Sequence, residues 1–167
     1  MAYTKTVNPD LQMLLRLLAA MILCGLIGFE REARGKSAGL RTHMLVGFSS
    51  AMFVILGEIV MARESTRGYP ALKLDPIAII GATISGISFL GAGTIFMSPT
   101  GRKHGLTTAA SILGSSSIGI ACGLEHYVLA TGGTVLLIVI LSVFGYLERE
   151  IIKDPDSRRA HLPEEIE

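Results

Sequence analysis

The chain has 167 residues, one domain's worth. Its 15 basic and 14 acidic side chains leave a net charge of +1, which excludes the basic excess that a nucleic-acid partner needs. Charged residues are 17%, against ~25% in an ordinary soluble domain. Hydrophobic residues reach 50% at a mean hydropathy of +0.53, so disorder is excluded and a membrane protein fits better than a water-soluble fold.

In chain order, Asp, Glu, Lys and Arg are absent from 17–29, 42–57, 76–101, 104–124 and 126–147. A helix crossing ~30 Å of hydrocarbon needs roughly 20 residues. The last three stretches meet that unaided. The first meets it if the helix starts at Leu11 and Arg16 snorkels toward the nearer surface. The second meets it if the helix runs on through Glu58 to Met61. Five spanning helices are therefore predicted, over 11–29, 42–61, 76–97, 105–124 and 127–147. The fold class is an all-α, polytopic membrane helix bundle. A tail at 1–10 is expected before the membrane domain at 11–150 and a polar tail at 151–167 after it, with no second domain expected behind.

Local signals mark the helix ends. Asn8 caps with Pro9 at the first helical position, and Asp75-Pro76 repeats the arrangement before the third span. Ser98-Pro99-Thr100-Gly101 carries turn residues, so the third and fourth spans are expected to form a close helical hairpin. The start does not fit a cleaved signal peptide, because no basic run precedes the first apolar segment. Cys24 and Cys122 lie inside apolar runs and read as free thiols.

Basic residues set the orientation. One side carries Arg31, Arg34, Lys36, Arg41, Arg102, Lys103, Arg149, Lys153, Arg158 and Arg159. The other carries Lys5, Arg63, Arg67 and Lys73. The richer side is expected in the cytoplasm, with the N-terminus outside and the C-terminus inside.

Three segments rise above the apolar background. The first is Gly25-Leu-Ile-Gly28-Phe-Glu30-Arg31-Glu32, followed by Arg34, Arg41, Thr42 and His43. Two acids at a helix C-terminus meet the unfavourable end of the macrodipole and need cations. Arg34 shares a helical face with Glu30. Arg41 opens the next helix, and a pair between Arg41 and Glu30 or Glu32 is predicted across the first two helices. The second and third segments are 81–94 and 105–123, and nine of the 19 glycines fall between Gly81 and Gly123. In lipid, small residues let helix backbones approach. Gly25, Gly28, Gly86, Gly91, Gly93, Gly105, Gly119 and Gly123 are the expected packing glycines. A break of the third helix at Gly91-Ala92-Gly93 is the alternative reading of its glycines. Glu58, the one acid inside a predicted span, is expected at the outer interface. No Walker A lysine, HExxH or GxSxG occurs, and the four histidines have no mutual ligand spacing. Neither a catalytic centre nor a cofactor is expected, and the sequence assigns no metal ligands.

The matching pieces Gly25-Leu-Ile-Gly28-Phe-Glu30-Arg31-Glu32, Ala38-Gly39-Leu40-Arg41-Thr42-His43, Phe89-Leu90-Gly91-Ala92-Gly93 and 105–110, in this order and spacing, resemble the membrane domain of the MgtC/SapB family. The resemblance spans roughly 11–150. It implies a small multi-pass protein of the cell inner membrane, linked to magnesium limitation, acid stress and, in some members, virulence. Its implied partners are the lipid bilayer and other membrane proteins such as ATP synthase, with a homo-oligomer as a further expectation. The implied functional polar cluster is Glu30, Arg31, Glu32, Arg34, Arg41, Thr42, His43, Asp75, Thr107 and Thr108. The sequence departs from the family pattern at Ala78 and Ala82, where an Arg and a Gln are common, and at Ser88 and Leu113. The C-terminal soluble domain of longer members is not expected. Two functions follow: a non-enzymatic modulator of other membrane proteins, or a small cation or solute transporter.

Overall fold

The structure, a computed structural model, describes residues 8–67, 75–97 and 103–145. Five helices run in sequence: α1 (Pro9–Ala33), α2 (Leu40–Arg67), α3 (Pro76–Ala92), α4 (Leu106–Gly123) and α5 (Tyr127–Val139), the last continued by a π-helical turn, Ile140–Phe144. Four of these segments, α1, α2 to Arg63, α4, and α5 with its π turn, are long and apolar enough to cross a membrane. The chain is thus an all-α polytopic membrane bundle.

The predicted caps form. Asn8 Oδ1 accepts from Asp10 N at 3.0 Å ahead of α1, and Asp75 Oδ1 accepts from Ile77 N at 2.8 Å ahead of α3. Beyond α1, the backbone N–H of Lys36 bonds Arg31 O at 3.0 Å and that of Gly35 bonds Glu32 O at 2.9 Å. This reversal needs a left-handed residue, and Gly35, at φ +64°, provides it without a Cβ penalty.

The third helix departs from expectation. It stops at Ala92, not near 97, and its 17 residues rise ~25 Å. That is the short end of what spans a bilayer. The Gly91-Ala92-Gly93 segment ends the helix: Thr94 Oγ1 donates to Gly91 O at 2.7 Å, and Thr94 N bonds the same carbonyl at 2.9 Å. A two-stranded antiparallel pair follows, β1 (Phe96–Met97) with β2 (Lys103–His104), where Phe96 stacks on the His104 ring. Gly105, at φ +88°, turns the chain into α4. The turn expected at 98–101 and the polar tail at 151–167 lie outside the described residues.

Helix α4 is central and touches the other four helices. It is also the most deeply buried, because its stripe of Ser, Gly, Ala and Cys lets the neighbours close in. On α1, Leu17, Ala20, Cys24, Ile27 and Arg31 are buried at 3- and 4-residue steps, one continuous inward face. By contrast, α3 fully buries only Thr83 and Gly91 and exposes Ile77, Phe89 and Leu90. In water that would be costly; in hydrocarbon it is the stable arrangement.

Candidate functional site

Two polar clusters sit at opposite ends of the bundle, separated by a tightly packed middle. The end formed by the C-terminus of α1 and the N-termini of α2 and α4 holds the segment singled out from the sequence. Glu30 is half-buried, and its Oε1 lies 2.6 Å from Arg34 Nε, one helical turn on. Arg34 also donates through Nη1 to Leu141 O (3.2 Å) and through Nη2 to Ser142 O (3.3 Å). Those carbonyls belong to the π turn. Ser142 Oγ returns a bond to Glu30 Oε1 at 3.4 Å. The first helix is thereby pinned to the end of the last.

Arg31 and His43 are the buried members. Arg31 is 2% exposed, and its Nη2 donates to Thr108 Oγ1 at 3.3 Å. His43 is fully buried. Its Nδ1 contacts Gly39 O at 2.9 Å and its Nε2 contacts Ser111 Oγ at 3.2 Å. Ser111 Oγ also lies 2.8 Å from Thr108 O. Its single proton can serve one of these two acceptors at a time. Glu32 acts on the neighbouring helix instead. Its Oε2 accepts from Leu40 N at 2.8 Å and so caps the start of α2.

The predicted pair with Arg41 does not form. Arg41 is exposed, and among the described residues it pairs with no carboxylate. The reason is local: Glu30 finds Arg34 on its own helix, and Glu32 finds the orphan amides of α2, so neither acid needs a cation from across the gap. Asp75 is also separated from the cluster. It caps α3 at the opposite end, where Pro76 lines a small cavity with Glu58 and Leu124. Thr107 is exposed beside the buried Thr108. Thr42 lines a cavity of about 370 Å³ with Ser37, Leu90, Thr94, Phe96 and Ile112.

The glycines divide into three groups. A Cβ on Gly28 would lie 2.7 Å from Leu40 Cα, so α1 and α2 cross there backbone to backbone. Gly119 lies against the backbone of Gly47, and Gly123 against Val54 at 2.9 Å. Gly25 meets Met44 Cγ at 3.2 Å, and Gly91 meets Ala109 at 3.6 Å. These five lie at helix–helix contacts. Gly93 and Gly105 are turn glycines instead: Gly93 faces only carbonyls of its own helix, and Gly105 needs its positive φ and abuts Thr94 O. Gly86 has nothing within 4 Å. It lines an apolar groove of about 530 Å³ between α2 and α3.

At the opposite end, Arg16 does not snorkel alone. Its Nη1 lies 2.7 Å from Glu58 Oε2 and 3.0 Å from Gly123 O, and its Nη2 pairs with Glu125. The sequence pattern did not single out Glu125. Its signal was present: an acid just after a Gly-rich helix, at the position where a helix reversal usually carries glycine. Glu125 indeed has φ +63°, and His126 N bonds Ala121 O at 2.9 Å around it. In the middle, Ser50 Oγ and Ser116 Oγ bond at 2.8 Å, and Cys24 Sγ donates to Ser115 O at 3.3 Å. Among the described residues, no three His, Cys, Asp or Glu gather as a metal site.

The MgtC family model matches residues 17–150. The chain belongs to the MgtC family. Within that family it is 40% identical over 136 residues to the Escherichia coli K12 protein named "Putative magnesium transporter YhiD", covering 81% of this chain and 62% of that one. It is 31% identical over 148 residues to protein SapB of Bacillus subtilis, covering 89% and 62%. It is 38% identical over 124 residues to protein MgtC of Brucella abortus, covering 74% and 48%. The chain thus spans less than two thirds of the length of these relatives. No solved structure matches it.

Proposed function

We propose that this MgtC-family protein is a non-enzymatic component of the cell inner membrane that modulates other membrane proteins during magnesium limitation or acid stress. One observation carries the reading: the bundle is closed through its middle. Gly119 seats on the Gly47 backbone, Ser50 bonds Ser116, and the half-buried acids Glu30 and Glu58 each give one carboxylate oxygen to an arginine, Arg34 and Arg16. A cation carrier needs acids free to meet its ion inside the membrane. A modulator needs an outward surface, and α3 offers one with exposed Ile77, Phe89 and Leu90. Other membrane complexes, ATP synthase among them, are the partners this reading favours.

Transport is the second reading, favoured by the name of the Escherichia coli relative. Reconstitution into liposomes separates the two. The modulator reading expects magnesium and proton flux no greater than in empty liposomes, and recovery of a second membrane complex after cross-linking in magnesium-limited cells. Flux abolished by Glu58→Gln would replace it with the transporter reading.

A further inference from the structure

We propose that Arg31 and the first turn of α4 form a binding site for a phosphate-type oxyanion at the basic end of the bundle. Arg31 lies on the inward stripe of α1 and is 2% exposed. A guanidinium carries five N–H donors. Its hydrogen bond among the described residues is the one to Thr108 Oγ1, at 3.3 Å, and its buried Nε has no partner. No carboxylate forms an ion pair with it among those residues: the adjacent Glu30 bonds Arg34 and Ser142 through Oε1, and its buried Oε2 bonds nothing. A buried charge left this way is costly unless a counter-ion joins it.

Thr108, which Arg31 reaches, is the third residue of α4. The residue before α4 is Gly105, and no side chain caps the helix. The first-turn amides of Leu106, Thr107 and Thr108 therefore present donors and the positive end of the macrodipole. A cation held against a positive helix end repels it. A shared anion removes both penalties at once, since amides and guanidinium can donate to neighbouring oxygens of one phosphate. The location suits this ligand. Arg31 closes an apolar spanning helix and Thr108 opens another, which sets the site at headgroup depth, with exposed Lys36 and Arg41 at the same end. Basic pockets between spanning helices hold anionic headgroups in this way. A phospholipid headgroup and free phosphate share the chemistry.

The test measures the unfolding midpoint of the purified protein in detergent. One arm compares added phosphatidylglycerol with phosphatidylcholine; the other compares inorganic phosphate with chloride at equal ionic strength. The expected result is a rise of several degrees with phosphatidylglycerol, with phosphate, or with both. A rise with phosphatidylglycerol only identifies the headgroup as the source; a rise with phosphate identifies the free oxyanion. Arg31→Gln should abolish the rise. Thr107→Asp puts a carboxylate on the exposed side of the same turn. It should raise the midpoint without any probe and remove most of the response, and it decides the matter if Arg31→Gln fails to fold. No rise with either probe, or a full response in Thr107→Asp, overturns the site.

Discussion

Gly119 of α4 lies directly on Gly47 of α2, so closely that a Cβ on Gly119 would overlap the Gly47 carbonyl oxygen. Neither backbone can yield without moving its helix. Gly119→Leu is expected to cost at least the ~1–3 kcal/mol typical of an overpacked core, and to lower the monodisperse yield in detergent sharply. Gly86→Leu, facing the open groove, is the control and should leave the yield near that of the parent. Equal losses at both positions would remove the packing account.

Arg16 and Glu125 make a second test, because the two changes oppose each other. Glu125 occupies a left-handed conformation at φ +63°, which costs a non-glycine residue ~1 kcal/mol or more. Its half-exposed ion pair with Arg16 returns ~1 kcal/mol at most. Glu125→Gly should therefore be close to neutral. Arg16→Ala removes a largely buried cation from two half-exposed carboxylates and the Gly123 carbonyl, and should cost about 1–2 kcal/mol. Thermal unfolding of the two variants in one detergent orders them; a larger loss for Glu125→Gly would show that strain was misassigned.

Arg34 ties three groups together: Glu30 and the carbonyls of Leu141 and Ser142. Arg34→Ala should cost about 2–3 kcal/mol, since hydrogen bonds to charged groups contribute more than neutral ones. The loss should be local. Hydrogen exchange is expected to quicken in the π turn at 140–144 while the middle of α4 keeps its protection. Arg34→Lys retains the charge beside Glu30 but not the fork, and should fall between. Unchanged exchange at 140–144 in the Ala variant would mean that the clamp does not hold α5.

Orientation is read from the ten-to-four asymmetry of basic residues. A reporter fused after Glu167 should register in the cytoplasm, and one inserted between Arg67 and Lys73 outside. The reverse pattern would invert the bundle and place the Arg31 cluster on the outer face.

Sequence by itself determined the solvent and the element count. Long charge-free stretches can be stable only as helices in hydrocarbon, so five helices and the Asn8 and Asp75 caps were legible from hydropathy and local chemistry. The pair Glu30–Arg34 was legible too, because i,i+4 neighbours meet on any helix. Gly28, Gly119 and Gly123 were legible as packing residues, but their partners were not. Tertiary structure alone decided which polar groups meet across helices. Arg31 reaches Thr108 77 positions away, and Arg16 joins Glu58 and Glu125 from 42 and 109 positions away. Arg41, chosen for its nearness in sequence, is left exposed. The same holds for Gly86 and Gly91, two small residues on one helix. Gly91 touches α4 and Gly86 lines a groove: five residues apart, they point to different sides of α3, and only the packing of the bundle decides which side is filled.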